Sequence, residues 1–275
     1  MKPVDFDYAR PSTVEAALAL LADASRSAKT LAGGQSLGPM LNMRLVRPGL
    51  LVDITGIEEL RRVEDRANEI VIGACVTHSD IEDCRVPDVT RGALSTVAGG
   101  IAYRAVRNRG TIGGSLTHAD PAADWVAILS ALGAKVALRG ASGVRVLAVE
   151  DYVLGALESD IRPGELLTSV LVPKLGPRAR WGYYKACRKP GELAHAIGAF
   201  LIDPERDVVR AVVGAIDAKP VVVAEAKALI GDARPERFDA AAVDALLARA
   251  GLADAIDRRT HVVALRRALE GAWAS

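Results

Sequence analysis

The amino-acid sequence predicts an α+β protein, and two observations lead to that prediction. Up to residue 172, segments with strand character and segments with helical periodicity follow one another along the chain. Beyond residue 177, three strand-like segments come first and three helical segments follow, an order that is typical of an α+β module. The 275 residues are enough for two domains, or for one large domain with a smaller one beside it.

The elements expected before residue 177 are short. Pro11 precedes two hydroxyl residues and a run of apolar residues at helical spacing, so a helix is predicted over residues 11–25. Asp120 followed by Pro121 fits an N-cap and a first helical residue, so we expect a helix from there to Leu132. Further helices are predicted over residues 77–84 and 91–98, and strands over residues 28–32, 50–54, 60–63, 69–72, 135–138, 144–149 and 166–172.

The pattern changes after residues 173–177, which contain two prolines and a glycine and form the best linker candidate in the chain. Behind this linker, alternating apolar residues predict three successive strands, and apolar residues at helical spacing predict three helices. The predicted strands cover residues 183–187, 194–202 and 208–216, and the predicted helices lie near residues 221–230, 239–250 and 260–272.

Composition excludes several classes of function. The 35 basic and 34 acidic residues give a net charge of +1, so the chain lacks the basic footprint of a nucleic-acid-binding protein. No apolar run is long enough for a transmembrane segment and the N-terminus has no signal-peptide core, so we expect a cytoplasmic protein. The three cysteines and four histidines are scattered, which predicts no disulfide framework, no iron–sulfur cluster made by this chain alone and no metal site.

Two glycine-rich segments are the most informative motifs. The first glycine segment is residues 32–36, Ala-Gly-Gly-Gln-Ser, and the second is residues 111–115, Thr-Ile-Gly-Gly-Ser. Glycine lets backbone N–H groups approach a phosphate, and successive N–H groups in a turn form an anion-binding concavity. Gly-Gly pairs also occur in ordinary turns, and neither segment has Rossmann or P-loop spacing. Two such segments in one chain predict two loops that close on a nucleotide cofactor in another architecture.

No side chains carry the pattern of a nucleophile with its base, so the sequence nominates no catalytic residue. In a protein with a redox cofactor, the cofactor carries the chemistry, while the protein binds it and tunes its electronics.

A longer motif surrounds the second glycine segment. Residues 107–116 read Arg-Asn-Arg-Gly-Thr-Ile-Gly-Gly-Ser-Leu, and residues 118–124 read His-Ala-Asp-Pro-Ala-Ala-Asp. With the first glycine segment and the Lys2-Pro3 opening, this motif resembles the FAD-binding medium subunit of the molybdenum hydroxylases, the carbon monoxide dehydrogenase and xanthine dehydrogenase superfamily. The resemblance covers essentially the whole chain.

The resemblance implies a fold and a division into domains. Residues 1–175 would form a two-subdomain FAD-binding fold of the vanillyl-alcohol oxidase (PCMH) type, with subdomains of about 1–56 and 57–175. Residues 176–275 would form a smaller C-terminal α+β domain, a three-stranded antiparallel sheet with helices.

The resemblance also implies the cofactor contacts. The glycine segments would hold the FAD diphosphate and ribityl region, Asp124 would hydrogen-bond the cofactor, Leu167 would contact it near the flavin, and Lys185 would lie near the ring. Ile101 stands where some family members place an aromatic residue against the isoalloxazine, a departure that bears on ring stacking. The full implied set is Thr30, Leu31, Ala32, Gly33, Gly34, Gln35, Ser36, Leu37, Ile101, Thr111, Ile112, Gly113, Gly114, Ser115, Asp124, Leu167 and Lys185.

By resemblance, the chain is an electron-transfer subunit of an oxidoreductase. A large molybdopterin-binding subunit would oxidise the substrate, and two [2Fe-2S] clusters of a small subunit would pass the electrons to FAD on this chain. The flavin would then reduce an acceptor such as NAD, a quinone or oxygen, and the family expectation is a dimer of heterotrimers. Two alternatives stay open: a stand-alone FAD-dependent oxidoreductase of the same fold, and a structural subunit without flavin.

Overall fold

The computed structural model describes residues 2–230 and 235–274. Its strands are β1 (Asp7–Ala9), β2 (Ala28–Leu31), β3 (Leu50–Asp53), β4 (Val63–Asp65), β5 (Glu69–Gly73), β6 (Lys135–Gly140), β7 (Gly143–Ala148), β8 (Val153–Gly155), β9 (Glu158–Ser159), β10 (Leu166–Pro173), β11 (Arg180–Ala186), β12 (Ala196–Asp203), β13 (Val208–Gly214) and β14 (Val221–Val223). Its α-helices are α1 (Val14–Leu21), α2 (Leu37–Asn42), α3 (His78–Glu82), α4 (Ala93–Gly100), α5 (Arg104–Arg107), α6 (Ile112–His118), α7 (Asp124–Leu132), α8 (Val149–Tyr152), α9 (Lys227–Ile230), α10 (Ala240–Arg249) and α11 (Ala255–Ala274).

The strands form three main sheets. β1, β3 and β2 make a parallel three-stranded sheet in that order. An antiparallel five-stranded sheet has the order β4-β5-β10-β6-β7, so β10 enters between two strands that precede it in the chain. β11 to β14 form an antiparallel four-stranded sheet in sequence order, and β8 pairs with β9 in a small hairpin.

Helix α7 lies at the centre of the main core. All nine of its residues are buried, because it packs against β10 of the five-stranded sheet and against β12 and β13 of the four-stranded sheet. A helix that is apolar on all sides is stable only when it is covered on all sides. Gly133, with a φ of 71°, ends α7 in the left-handed conformation that glycine adopts easily. The burial of α7 fixes the position of Asp124 at its first turn.

Both faces of the four-stranded sheet are covered. Along β12, Ile197, Ala199 and Leu201 belong to the core that contains α7, whereas Phe200 and Ile202 belong to a second core under α10 and α11. Alternate residues of a strand point to opposite faces, so this division follows from the pleat. It explains why every residue of β12 is buried.

The predicted α+β class is confirmed, with several differences in the elements. The C-terminal sheet has a fourth strand, since residues 221–223 extend as β14 and only residues 227–230 of the predicted helix 221–230 are helical. Three consecutive valines favour a strand because β-branched side chains fit a pleated surface. Residues 231–234, between the predicted helices 221–230 and 239–250, lie outside the described residues.

Three helix or strand starts also differ from the prediction. Helix α7 begins at Asp124, and Asp120 instead accepts a hydrogen bond from the N–H of Ala122 at 2.9 Å within a turn, so Asp120 does not cap the helix. Helix α1 begins after the N-cap Thr13 and is shorter than the predicted helix 11–25. Residues 58–61 form a 3₁₀ turn, which delays the strand predicted over residues 60–63 until Val63. No described helix is both long enough and apolar enough to cross a membrane.

Glycines let α11 lie directly on the four-stranded sheet. A Cβ built on Gly182 of β11 would lie 1.7 Å from the carbonyl oxygen of Ala268 in α11. A Cβ built on Gly198 of β12 would lie 2.5 Å from the carbonyl oxygen of Ala264. The backbone of the helix therefore occupies the space that side chains would need.

We predict that Gly182→Ala lowers the free energy of unfolding by roughly 1–3 kcal/mol, because the new methyl group would push α11 off the sheet. Urea unfolding followed by circular dichroism measures the change. Gly100→Ala is the matched control, since a Cβ at exposed Gly100 meets nothing within 4 Å. Equal stability of the two variants would contradict the described packing of α11.

Candidate functional site

The first glycine segment is a loop between β2 and α2, and it carries unused hydrogen-bond donors. The backbone N–H groups of Gly33, Gly34, Gln35 and Ser36 donate no hydrogen bond within the described part of the chain. Gly34 has a φ of 72°, a conformation that a side chain would strain. Consecutive free N–H groups around such a turn create a concave surface that attracts anions.

The second glycine segment differs from the predicted loop. Thr111 caps helix α6, its Oγ1 accepting a hydrogen bond from the N–H of Gly114 at 3.1 Å, and residues 112–115 are helical. The N–H groups of Ile112, Gly113 and Ser115 bond to the carbonyl oxygens of Val76, Ala74 and Thr111, respectively. A threonine is a good N-cap, which explains the helical start. The two segments are therefore not equivalent, because only the first carries a run of free N–H groups.

Close backbone contacts bring the two segments together. A Cβ built on Gly33 would lie 2.0 Å from the carbonyl oxygen of Arg109, just before the second segment. A Cβ built on Gly114 would lie 3.5 Å from the Cβ of Ala32. Only glycine fits at position 33, so this residue allows the two segments to form one wall.

The joined segments line an open cleft of about 380 Å³. Thirteen of the residues in the set implied by sequence line it: Thr30, Ala32, Gly33, Gly34, Gln35, Ser36, Leu37, Ile101, Thr111, Gly114, Ser115, Asp124 and Lys185.

The other four implied residues lie behind the lining of the cleft. Ile112 and Leu167 are buried in the main core, Gly113 packs against Ala74, and Leu31 lies in β2 with its side chain close to Gly34. These residues support the cleft without lining it.

Asp124 and Lys185 form a buried ion pair at the cleft. The Lys185 Nζ is 3.0 Å from Asp124 Oδ2, and the hydroxyl of Tyr183 donates to Asp124 Oδ1 at 2.7 Å. Burial raises the pKa of the Asp124 carboxyl, although the charge of Lys185 and the hydrogen bonds from Tyr183 and Lys185 oppose this shift. Burial and the neighbouring carboxylate raise the pKa of Tyr183 well above its usual value, so its hydroxyl stays protonated as a donor. The result is a cation held at a fixed place in the wall.

An ion pair between Arg107 and Glu82 orders the loop that carries Ile101. The Arg107 guanidinium makes a two-pronged ion pair with Glu82, at 2.7 and 2.9 Å, and donates to the carbonyl oxygens of Ile101 and Ala102 at 2.9 and 3.0 Å. Ala102 has a φ of 42°, which is uncommon for a residue with a side chain. The Arg107 side chain is only 12% exposed, so it acts as a rigid support for this part of the cleft.

Part of the lining comes from residues that the sequence did not predict. The loop between β11 and β12 contributes Gly191, Glu192 and Leu193. Gly191 has a φ of 86°, and a Cβ there would lie 2.8 Å from the carbonyl oxygen of Ala102. The remaining unpredicted lining residues are Lys29, Met40, His78, Ala102, Val106, Gly110, Thr117, His118, Asp120, Ala123 and Leu157. Most of these residues belong to no sequence motif. The Gly-Glu-Leu sequence at residues 191–193 is typical of an ordinary turn.

The chemistry of the cleft fits FAD. The free N–H groups of residues 33–36 suit a diphosphate, and the hydroxyls of Ser36 and Ser115 add further donors. Lys185 places a positive charge in the wall of the cleft, which suits an electron-accepting ring. Ile101 and Leu193 supply apolar surface.

His78 is a cleft residue whose pKa burial shifts strongly. Its Nδ1 is 3.0 Å from the indole Nε1 of Trp125. Burial, helped by the positive charge of Arg107, lowers the pKa of His78 from 6.5 to about 4. The folded protein therefore holds His78 neutral at pH values where the unfolded chain protonates it.

We predict that His78 makes unfolding pH-dependent. Since its pKa is lowered on folding, its contribution is complete above pH 6.5 and is lost as the pH falls towards about 4. The unfolding free energy of the wild type should then fall relative to that of His78→Gln by up to about 3 kcal/mol over this range. Urea unfolding of both proteins between pH 7 and pH 4 measures this difference. A difference that stays constant with pH would contradict the described burial of the ring.

Comparison with known proteins agrees with this geometry. Residues 4–175 match the family described as the FAD binding domain in molybdopterin dehydrogenase. The beta subunit of caffeine dehydrogenase from a Pseudomonas species is 36% identical over 206 residues, which is 74% of this chain and 70% of the relative. The carbon monoxide dehydrogenase medium chain of Hydrogenophaga pseudoflava is 32% identical over 284 residues, covering 100% of this chain and 99% of the relative.

Solved structures give the same assignment. Carbon monoxide dehydrogenase from Hydrogenophaga pseudoflava, in a form that lacks the Mo-pyranopterin moiety, superposes with a TM-score of 0.87 at 31% identity, covering 100% of this chain and 99% of the other. Quinoline 2-oxidoreductase from Pseudomonas putida 86 gives a TM-score of 0.83 at 29% identity with the same coverage. The chain therefore belongs to the FAD-binding medium subunits of the molybdenum hydroxylase family, and it is an oxidoreductase flavoprotein subunit with FAD as its cofactor.

Proposed function

We propose that this chain is the electron-transferring flavin subunit of a molybdenum hydroxylase complex. It receives electrons from [2Fe-2S] clusters on a small subunit and passes them to an external acceptor. One observation carries the proposal: in a chain of this family, two glycine segments converge on one cleft and the first presents four consecutive free N–H groups. The absence of a catalytic side-chain constellation from the sequence fits a relay whose substrate is oxidised on another chain.

Within the cleft, each group has a distinct proposed task. The N–H groups of residues 33–36 bind the FAD diphosphate, and Ser36, Thr111 and Ser115 contribute hydroxyls around it. Lys185, held by Asp124, would hold the ring system with its charge, and Ile101 would offer the ring apolar surface. Leu31, Ile112, Gly113 and Leu167 complete the binding set from behind the lining. Bound FAD supplies the redox chemistry, since it exchanges electrons with both one- and two-electron partners.

The Asp124–Lys185 pair also bears on electron transfer. The side chain of Lys185 is only 11% exposed and that of Asp124 only 6%, so bulk water screens the lysine charge little. A weakly screened cation favours the build-up of negative charge on a neighbouring group. Lys185 would therefore favour the reduced cofactor, while the Asp124 carboxylate beside it sets the position of the lysine and partly offsets its charge.

The proposed domains follow the sheets. Residues 1–175 form the PCMH-type FAD-binding domain, with the three-stranded sheet in a subdomain of about 1–56 and the five-stranded sheet in a subdomain of about 57–175. Residues 176–275 form the C-terminal domain around the four-stranded sheet. The family match over residues 4–175 supports the boundary. In this division, the Asp124–Lys185 ion pair joins the FAD-binding domain to the C-terminal domain.

The proposed partners are a large molybdopterin-binding subunit and a small [2Fe-2S] subunit, in a cytoplasmic dimer of heterotrimers. Support comes from the relatives, which are named as medium chains or medium subunits of carbon monoxide dehydrogenase, nicotine 6-hydroxylase and glyceraldehyde dehydrogenase. The name medium chain implies that the complex also contains a larger and a smaller subunit.

We predict that Gly33→Val and Gly114→Val each abolish FAD binding. A side chain at position 33 would meet the Arg109 carbonyl oxygen, and one at position 114 would meet Thr111 Oγ1 at 2.8 Å. Flavin absorbance of the purified proteins after reconstitution with FAD measures the loss, with Gly100→Val as the control. A wild-type chain that binds no FAD after reconstitution would refute the proposal. An unaltered activity of complexes that contain the glycine variants would favour the flavin-free structural subunit.

We further predict that the flavin of the purified complex bleaches anaerobically when the large subunit receives its substrate. Carbon monoxide, caffeine and nicotine form a first panel, since proteins similar to this chain are named for them. In a complex with Gly33→Val, the iron–sulfur spectrum should still bleach while reduction of the acceptor stops. Substrate turnover by the isolated chain would instead favour a stand-alone oxidoreductase.

A further inference from the structure

His78 is a buried polar side chain of the cleft that the proposed function leaves without a task. It is the first residue of α3 and is only 5% exposed, yet it lines the cleft. Its backbone N–H donates to the carbonyl oxygen of Gly110 at 2.9 Å. The imidazole therefore lies beside the residue that precedes the second glycine segment.

The contact with Trp125 fixes the tautomer of His78. An indole Nε1–H can only donate a hydrogen bond, so the imidazole Nδ1, 3.0 Å away, must accept it. Trp125 is fully buried in α7, so this contact is held by the main core. A neutral imidazole that accepts at Nδ1 carries its proton on Nε2. The lowered pKa of His78 is consistent with this neutral form.

The Nε2–H group has no hydrogen-bond partner among residues 2–230 and 235–274. The Nε2 atom is not fully enclosed, because the fully buried side-chain N and O atoms that lack a partner among the described residues are Ser130 Oγ, Glu150 Oε2 and Asp203 Oδ1. It therefore reaches the solvent of the cleft that His78 lines. Gly110 keeps this edge of the ring clear, because a Cβ at position 110 would lie 2.8 Å from Nε2. The polar edge of a nearly buried ring is thus left available to a ligand in the cleft.

Apart from the hydroxyls of Thr111 and Ser115, the second glycine segment offers a ligand no free donor of its own. Its N–H groups at residues 112–115 are all used within the protein, so this side of the cleft cannot bind a phosphate as the first segment does. We propose that His78 is an FAD-binding residue whose Nε2–H donates a hydrogen bond to an oxygen of the FAD diphosphate. This inference rests on the proposed placement of FAD between the two segments. As a neutral donor, His78 fixes the orientation of the diphosphate without adding charge.

The first test measures the dissociation constant of FAD for His78 variants of the full chain. His78→Phe removes the donor and should weaken FAD binding roughly 10- to 100-fold, since hydrogen bonds to charged groups are the stronger ones. His78→Gln can still donate from its amide and should recover most of that loss. His261→Phe is the matched control, because His261 is equally buried but both its ring nitrogens bond to backbone oxygens of Asp257 and Ala215 outside the cleft. It should leave FAD affinity unchanged.

The second test uses the wild type and does not depend on the folding of a variant. In two-bond ¹H–¹⁵N correlation spectra, His78 should show a protonated Nε2 and an unprotonated Nδ1, and FAD should shift the Nε2 resonance. ADP, which carries the diphosphate without the flavin, should cause a shift of the same sign. Riboflavin, which lacks the diphosphate, should not.

These experiments distinguish a failure of the His78 proposal from a failure of the proposed FAD site. If His78→Phe binds FAD as tightly as the wild type and FAD leaves the His78 resonances unmoved, while Gly33→Val still abolishes binding, the role of His78 is overturned and the cleft stands. If Gly33→Val also binds FAD normally, the placement of FAD itself is wrong. A proton on Nδ1 would overturn the tautomer and with it the proposal.

Discussion

The functional site depends on one close contact between backbones. The loop after β2 passes so near the segment before α6 that no side chain fits at Gly33, where a Cβ would lie 2.0 Å from the carbonyl oxygen of Arg109. This contact turns two separate motifs into one wall. The two parts of the wall then differ in chemistry. Residues 33–36 keep their N–H groups free, whereas residues 112–115 use theirs to anchor α6 against residues 74 and 76 and to form its first turn.

The rest of the fold holds this wall against the C-terminal sheet. Helix α7 is buried between the five-stranded and four-stranded sheets, and its first residue, Asp124, pairs with Lys185 of β11. A buried ion pair adds little net stability, because both charges lose their hydration. Its value here is positional, since it places a cation at the cleft. Arg107 and Glu82 act in the same way for the loop that carries Ile101 and Ala102.

The sequence predicted the parts of the site that rest on backbone chemistry. Both predicted glycine segments line one cleft, although Gly33 is required by the contact with Arg109 and the N–H of Gly114 bonds to Thr111. The motif around residues 107–124 is long enough to identify a family. The α+β class followed from the order of strand and helix patterns. Asp124 and Lys185 were predicted as site residues only through the resemblance to the family. Without it, a single carboxylate and a single lysine are interpreted as surface residues.

What the sequence did not predict depends on contacts between distant segments. His78 lies 47 positions from Trp125, so nothing near it in the chain signals that its ring is fixed and faces a cleft. Gly191 reads as a turn until its approach to Ala102 is seen. The helical start at Thr111 was masked by the two glycines that follow it, since glycine is a poor helix former. In each case tertiary packing overrides the local signal.

The most direct measurement is an experimental structure of the chain with FAD bound. We expect the diphosphate to lie against the N–H groups of residues 33–36, with the flavin end of the cofactor towards Lys185 and Ile101. FAD bound at a surface that touches neither glycine segment would contradict it.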